Sequence, residues 1–460
     1  MKTTAPLSKV QFGLYVECLE HTCEAYYNLP YLYVLDGSLE EERLRKAIET
    51  AVFAHPTLFT RLELDANGEP VQTIDMDNEQ WELKVEEVQD IEALKPQLIV
   101  PFNIFGDRLF HIRLLHDKDH FYFFFDPHHI IADGTSLKVI LTDIDKAYMG
   151  ESLQPEELTM AEVAIAEAEL RKTEAFEEGK QWYAQNFDCS DTYTNLLPDL
   201  EIAEHSEDHM VRTLNIGMSA VEDFCKTNGI FKSNFFTNAY SFLLAKYNNE
   251  HESLFTTIYN GRTDKRFLHS VGMTVKTLPA YAKFDNDTTV LDYLHAGQEQ
   301  MSGCRKHDIY SFSDVVRDLG LQVNSMFAWH GMLFADEQLC GKPMQTIRLC
   351  NSTLESPLYL KAYILGGKYH IKAEYNSNEY SAELISQFLE SYEAVIDGFL
   401  CKEYLRDINI TTKAQIGLLD SFNRTEAEYD DTQTVVSLFR RQAAETPDNI
   451  AVIYKDRQYT

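Results

Sequence analysis

Residues 157 to 187, ELTMAEVAIAEAELRKTEAFEEGKQWYAQNF, form a charged stretch of helical composition that divides the chain into two segments of similar content. Its many Glu and Ala residues mark an exposed helix rather than a site. On its N-terminal side, residues 9 to 28 are helix-like up to the break at Pro30, and PYLYVLDG reads as a strand. SLEEERLRKAIETAVFAHP is an amphipathic helix: Ser38 caps it, acids crowd its first turn, and Leu44, Ala47, Ile48 and Val52 share one face. TLFTRLEL and EPVQTIDM are strand-like runs joined around Asn67-Gly68, a hairpin signal because such a pair accepts positive φ at the turn. A short helix near 91 to 98 precedes a second strand pair, DRLFHIRLLHD and DHFYFFFDPHH, and then a helix over about 136 to 148 with Thr135 or Ser136 as cap.

Beyond the divider the same kinds of element return. HMVRTLNIG is a strand, helices lie near 219 to 228 and 232 to 248, and ESLFTTIYNGR and MQTIRLCN are strands. PLYLKAYILGGKYHIKAEYN is a hairpin turning at Gly366-Gly367, followed by a helix from about 381 to 400. Two successive sets of helices and antiparallel strands predict an α+β fold of two lobes, which a chain of 460 residues is long enough to build. After residue 411 the composition changes to a polar linker, NRTEAEYDDTQT, and a new helix-plus-strand start, VVSLFRRQAAETPDNIAVIYKDRQYT. That strand has barely begun at Thr460, so the natural polypeptide is expected to continue.

Charge narrows the partners. With 41 Lys and Arg against 73 Asp and Glu the net charge is -32, and no basic cluster interrupts it, so nucleic acid and anionic membrane are not expected as partners. The eight cysteines lie scattered, without CxxC pairs or zinc-ligand spacing, as free thiols of a reducing compartment do. No signal-peptide core and no run of about 18 apolar residues is present, so a cytoplasmic location is expected.

The hydrophobic run FYFFFD ends in Pro127-His128-His129-Ile130-Ile131-Ala132-Asp133-Gly134. A metal reading of the two histidines fails on geometry, because adjacent residues of an extended stretch point to opposite faces and no third His or Cys lies at ligand spacing. A serine-hydrolase reading lacks the GxSxG turn. Imidazole is, however, the side chain suited to accept a proton near pH 7.

These residues resemble the HHxxxDG signature of condensation domains of nonribosomal peptide synthetases, relatives of chloramphenicol acetyltransferase, and the resemblance continues in order along the chain. LSKVQFGLYV is similar to the family's opening S-x-x-Q motif through Ser8 and Gln11. AHPTLFTRL is a degraded RHxxLRTxF motif that keeps His55, Leu58 and Thr60 but has Ala54 and Phe59 in place of the arginines. NGRTDKRFLHSVGMTVKTLP resembles the segment from GR to VGxFVNTxP, with Lys276 where Asn is usual, and KHDIYSFSDVV matches (H/N)QDxPFE at Asp308 and Phe312. EYNSNEYSAELISQFLESYEAVI is similar to the closing helix, and the segment from LLDSFNRTEAEYDDTQT to Thr460 resembles a linker into an adenylation domain and its first strand.

The resemblance implies two chloramphenicol-acetyltransferase-like lobes in a V-shaped pseudo-dimer with the active-site tunnel at their junction. It places the N-terminal lobe at 1–175, the C-terminal lobe at 176–415, and the linker and truncated start of an adenylation domain at 416–460. It implies an acyltransferase in which the amine of a carrier-bound aminoacyl thioester attacks a donor acyl thioester. No cofactor is bound by the domain itself, since both substrates ride on phosphopantetheine of carrier domains or on coenzyme A. His129 is the candidate base, or the group that orients the amine, and His128 braces the loop. Asp133 holds the loop by pairing with an arginine. The expected arginine is Phe59, and Arg61, two residues on and on the same strand face, is the substitute. Gly134 permits close approach of backbone to substrate and lends its region's N–H to the oxyanion. Ser136 is a supporting residue, as a helix cap.

Met1 stands seven residues before the opening motif, which favours a starter domain that N-acylates the first amino acid from an acyl-coenzyme A or acyl carrier. Elongation from an upstream peptidyl carrier and a non-catalytic recruiting domain are the alternatives. Downstream adenylation and peptidyl carrier domains are the expected partners in the same polypeptide. A heterocyclising relative would carry Asp at the position of His128, and an epimerising one would not lead into an adenylation domain.

Overall fold

The computed structural model describes residues 2–20, 25–189, 192–201, 206–332, 338–349, 356–428 and 431–460. These separate into two compact units, one running to Ile410 and the other Thr411–Thr460. The large unit contains two sheet-based lobes.

The first lobe opens with β1 (Thr3–Pro6) and α1 (Lys9–Glu20), then β2 (Tyr31–Asp36), α2 (Glu41–Phe53), β3 (Arg61–Leu64), β4 (Pro70–Ile74), β5 (Val85–Glu87) and α3 (Ile91–Leu98). It continues with β6 (Phe110–His116), β7 (His120–Pro127) and α4 (Gly134–Met149). The divider folds as two helices, α5 (Met160–Leu170) and α6 (Glu174–Asn186), rather than one, because Thr173 occupies an extended N-cap conformation between them. The second lobe follows with β8 (Glu207–Thr213), α7 (Met218–Asn228), α8 (Lys232–Tyr247), β9 (Glu252–Tyr259), β10 (Lys276–Lys283), α9 (Val290–Lys306), α10 (Phe312–Leu319) and β11 (Ser325–Gly331). Last come β12 (Gln338–Leu339), β13 (Lys342–Arg348), β14 (Leu358–Leu365), β15 (Lys368–Asn376) and α11 (Ala382–Cys401).

Six strands in the order β10-β9-β11-β14-β15-β8 make the second lobe's sheet, and six in the order β12-β13-β2-β7-β6-β5 make the first lobe's. The strand β13, which stands late in the chain, thus pairs antiparallel with β2, Met344 opposite Leu35 through Arg348 opposite Tyr31. The part of MQTIRLCN from Cys350 on lies outside the described residues, as does 21–24 at the end of the first helix-like stretch.

The unbroken aromatic run of β7 is explained by burial on both faces, the usual reason for a strand to lack polar alternation. Phe123 and Phe125 pack with the α2 and α4 side of the sheet, while Tyr122 and Phe124 pack with Leu98 of α3 on the other. Each fully buried Phe contributes about 1.5–3 kcal/mol. The hairpins lie where their turn residues place them: β3 and β4 around Gly68, φ +83°, and β14 and β15 at Gly366-Gly367, φ +55° and +68°.

Two caps differ from the sequence reading. Glu40, not Ser38, caps α2 by accepting from the Arg43 N–H, because the helix starts two residues later and Ser38 instead donates its N–H to Asp36 in the preceding turn. Asp133, not Thr135 or Ser136, caps α4. In the second unit, α12 (Lys413–Phe422), α13 (Val435–Glu445) and a short hairpin of β16 (Val452–Tyr454) and β17 (Arg457–Tyr459) make up the described elements. Among the described residues, no helix is long and apolar enough to cross a membrane. Six cysteines there are free thiols, and Cys23 and Cys350 lie outside the described residues.

Candidate active site between the lobes

The His-Asp-Gly loop leaves β7 and is pinned by backbone before any side chain acts. His128 N–H donates to Leu109 O at 2.8 Å, His129 N–H to Tyr27 O at 2.7 Å, and Leu29 N–H to Pro127 O at 3.0 Å. Gln11, fully buried, adds a side-chain tie by donating to Ile130 O at 3.0 Å. Ser8 and Gln11 bond each other reciprocally as a capping box, so the S-x-x-Q motif both starts α1 and holds the histidine loop.

The two histidines have opposite fates. His128 is buried, edge-on to the rings of Phe102 and Tyr27, and its Nδ1 accepts from the Ile130 N–H at 3.1 Å. Burial, with a smaller effect of His129, pushes its pKa down to about 3, so its ring is neutral at any physiological pH. It is structural. His129 instead lines a partly open cavity of about 890 Å³ to which both lobes contribute. Its Nδ1 lies 2.9 Å from Ala132 O. A carbonyl oxygen only accepts, so Nδ1 carries the proton and Nε2 of the neutral ring is the basic nitrogen.

Tyr27 and Gly134 line the same cavity from the first lobe, and Asn234, Thr256, Met273 and Lys276 line it from the second. Gly134 is the first residue of α4, where helix N–H groups have no intrahelical acceptor.

Asp133 is fully buried, and its arginine is Arg262, not Arg61. Arg262 Nη2 donates to Asp133 Oδ1 at 2.8 Å, and both side chains are essentially inaccessible. Oδ1 also accepts from the N–H and hydroxyl of Ser136, both at 2.8 Å, and Oδ2 accepts from the Thr274 hydroxyl at 3.0 Å. Arg61 pairs with Glu79 at 3.2 Å, because β3 carries it to the half-exposed rim rather than to the loop. The Arg262 guanidinium is further held by the carbonyls of Phe267 and Ser270. Ser136 closes the capping box on Asp133, and also accepts from Gly272 N–H at 3.0 Å in the second lobe.

A second set of buried polar groups lies behind this one, and the sequence reading did not include it in the site. His55 of the degraded motif sits between Asp143 and Glu156, its Nε2 3.0 Å from Asp143 Oδ2 and its Nδ1 2.8 Å from Glu156 Oε1. Burial alone would lower its pKa, but the hydrogen bonds and charges of the two carboxylates outweigh burial and raise it. Glu156 also accepts from Val271 N–H at 2.6 Å, next to the glycine that Ser136 holds. The signal available in the sequence was His55 itself; its partners are 88 and 101 residues away. Among the described residues no group of three His, Cys, Asp or Glu is placed to hold a metal ion.

The family model of the condensation domain matches residues 1–417. The chain belongs to the condensation-domain family. Among curated relatives, this condensation domain is 24% identical to gramicidin S synthase 2 of Aneurinibacillus migulanus over 456 residues, 93% of this chain and 10% of that protein. It thus spans a small part of the relatives it matches. A holo four-domain nonribosomal peptide synthetase bound to AMP and glycine superposes with a TM-score of 0.77 at 18% identity, over 98% of this chain and 37% of that one. The starter condensation domain of rhizomide synthetase gives a TM-score of 0.72 at 17% identity, over 89% and 100%. These superpositions establish the fold, mixed helix and sheet in two lobes.

Proposed function

We propose that this condensation domain forms an amide bond between a donor acyl thioester and the amine of an aminoacyl thioester on a carrier domain. One observation carries the reading: His129, its Nδ1 proton fixed on Ala132 O, presents its other nitrogen in a cavity that both lobes line. The amine attacks the thioester carbonyl, the C–N bond forms, and the C–S bond breaks to leave a thiol. The nitrogen sheds one proton, which Nε2 of His129 accepts and the departing thiolate finally takes up. An α-amine of pKa about 7.7–8 needs little prior deprotonation, so the same nitrogen equally orients the amine for attack. N–H groups at the start of α4, at Gly134 and Thr135, which line the cavity together with His129, are the donors offered to the carbonyl oxygen as it gains charge.

The finer reading is starter N-acylation from an acyl-coenzyme A or acyl carrier, with elongation from a peptidyl carrier as its competitor. Adenylation and peptidyl carrier domains are its partners in this reading, and residues 416–460 are the linker and first elements of the former. The exposure of Val435 and Phe439 on α13 supports that assignment. The test is transfer to an aminoacyl carrier domain from a panel of coenzyme A thioesters, read by mass spectrometry of the phosphopantetheine arm. An acyl mass gain abolished by His129→Ala is expected. Transfer from a peptidyl carrier donor alone, with none from coenzyme A thioesters or an acyl carrier, replaces starter by elongation, and transfer that persists in His129→Ala removes the catalytic role of His129.

A further inference from the structure

Arg305, near the end of α9, lines the cavity, and the amide-forming step makes no use of it. Among the described residues its guanidinium makes no hydrogen bond and no ion pair, although its Nε is buried. The group lies 5.8 Å from the centroid of the Tyr259 ring. A buried donor left without an acceptor costs stability, so packing does not account for an arginine here.

Asp308, three residues on, is the carboxylate closest to Arg305 in sequence, and both of its oxygens are engaged elsewhere. Oδ1 lies 3.1 Å from Nζ of Lys276, and Oδ2 accepts from the Tyr259 hydroxyl. Burial and the charge of Asp308 raise the Tyr259 pKa well above the ordinary 10, so the phenol keeps the proton that it donates. The other two carboxylates that line the cavity among the described residues are engaged as well. Glu17 accepts from the Tyr27 hydroxyl, and Glu167 from the Lys9 N–H at 2.6 Å. Lys276 stands where the family pattern has Asn, a side chain that carries no charge to set against Asp308. Lys276 therefore both occupies Asp308 and cancels the charge with which that residue would repel an incoming anion.

The group is close to the histidine loop. Lys276 stands opposite Tyr259 in the β10–β9 pair, two residues after Thr274, whose hydroxyl donates to Asp133. Two residues span at most about 7 Å of chain. We propose that Arg305 binds a carboxylate carried by one of the thioester substrates near its reacting end, an arrangement that Lys276 secures by holding Asp308. The inference rests on the amide-forming reading for the presence of a thioester in the cavity. A carboxylate fits a guanidinium through two parallel N–H donors, which an ammonium does not offer. The phosphate of a pantetheine arm has similar chemistry, but it stands at the opposite end of the arm from the thioester.

The test is calorimetric binding, to the whole protein, of pantetheine analogues that carry an amide in place of the thioester, in pairs of acid and isosteric carboxamide. Glutamyl against glutaminyl probes a carboxylate on the acceptor, and succinyl against succinamoyl one on the donor. In one pair the acid is expected to bind about tenfold tighter, the size of a charge-assisted hydrogen bond in a shielded site. Arg305→Met should erase that preference and Arg305→Lys should keep part of it. Lys276→Asn, which leaves Asp308 to Arg305, should weaken it. Because Arg305 holds no described residue by an ion pair or hydrogen bond, Arg305→Met should leave the melting temperature unchanged. A preference in the glutamyl pair assigns an acidic acceptor amino acid, and one in the succinyl pair a dicarboxylic donor. Equal binding within both pairs, binding of no probe, or a preference that survives Arg305→Met overturns the proposal. So does an Arg305-dependent gain that follows the phosphate when phosphopantetheine replaces pantetheine in the carboxamide probes. An Arg305-dependent preference without His129-dependent transfer supports this site while removing the amide-forming reading.

Discussion

Asp133 spends both carboxylate oxygens on a cation, a helix terminus and two hydroxyls, with no water required. Arg262→Met leaves that carboxylate charged, buried and short of its cation. The expected loss is about 3–5 kcal/mol, read as a lowered denaturation midpoint, whereas Arg61→Met at the rim should cost less than about 1 kcal/mol. That contrast separates the two candidate arginines in solution. Sequence alone offered Arg61 because a two-residue offset on one strand is a local relation. Arg262 is 129 residues away, and nothing in local periodicity reports such a separation. That the rings of His128 and His129 point to different sides was legible from the alternation of an extended stretch, and the structure buries the one and turns the other to the cavity.

His55 yields a pH prediction. Its folded pKa is raised above the ordinary 6.5, so its stabilising pairing is complete below that value and is lost as pH rises through the folded value. Asp143 is lowered from 3.8 because the hydrogen bonds of His55 and Lys146 outweigh burial, so its share is lost only as pH falls below the usual carboxylate range. The stability difference between wild type and His55→Gln, from urea unfolding, should therefore be larger at about pH 6 than at about pH 9. A difference that grew toward alkaline pH would contradict the arrangement.

Among the elements, the turn before Arg262 is tightly constrained. Gly261 has φ +64°, and a Cβ there would stand 2.0 Å from the Thr274 carbonyl oxygen. Gly261→Ala must therefore displace the segment that delivers Arg262 and Thr274 to Asp133. Both the melting temperature and acyl transfer should fall, the former by the equivalent of about 1–3 kcal/mol, and unchanged values would show that the turn relaxes freely. Elements with strong turn chemistry were legible down to the residue, as at Gly68 and Gly366-Gly367. Helix starts were less so, since Ser38, Glu40, Asp133 and Ser136 all have side chains able to cap and the choice falls to packing. The strand over residues 342–348 was legible as a strand, but its partner was not. Alternation tells which residues share a face, never which edge they meet.

At the scale of the whole molecule, several ties cross between the lobes, among them Asp133 to Arg262 and to Thr274, Ser136 to Gly272, and Glu156 to Val271. They join α4 and the segment before α5 to one loop of the second lobe, so the lobes should unfold together. Single-tryptophan variants keeping Trp81 in the first lobe or Trp329 in the second should report the same denaturation midpoint. Two separated midpoints would mean that the ties contribute little. The acidity of the chain, visible from composition, gave no hint that Lys361, Lys372 and Arg348 gather around Glu374, because net charge averages over local clusters.

The strand that β13 lends to β2 also decides where this protein can be recombined. A chimaera joined within the α5–α6 divider would look clean in sequence, yet it would import one edge of the first lobe's sheet from the donor of the second half. The five register pairs from Leu35–Met344 to Tyr31–Arg348 would then have to match between strangers. A first half produced alone would expose the free edge of β2, an open template for self-association. Workable breakpoints therefore come in pairs, with residues 338–348 travelling with the first lobe.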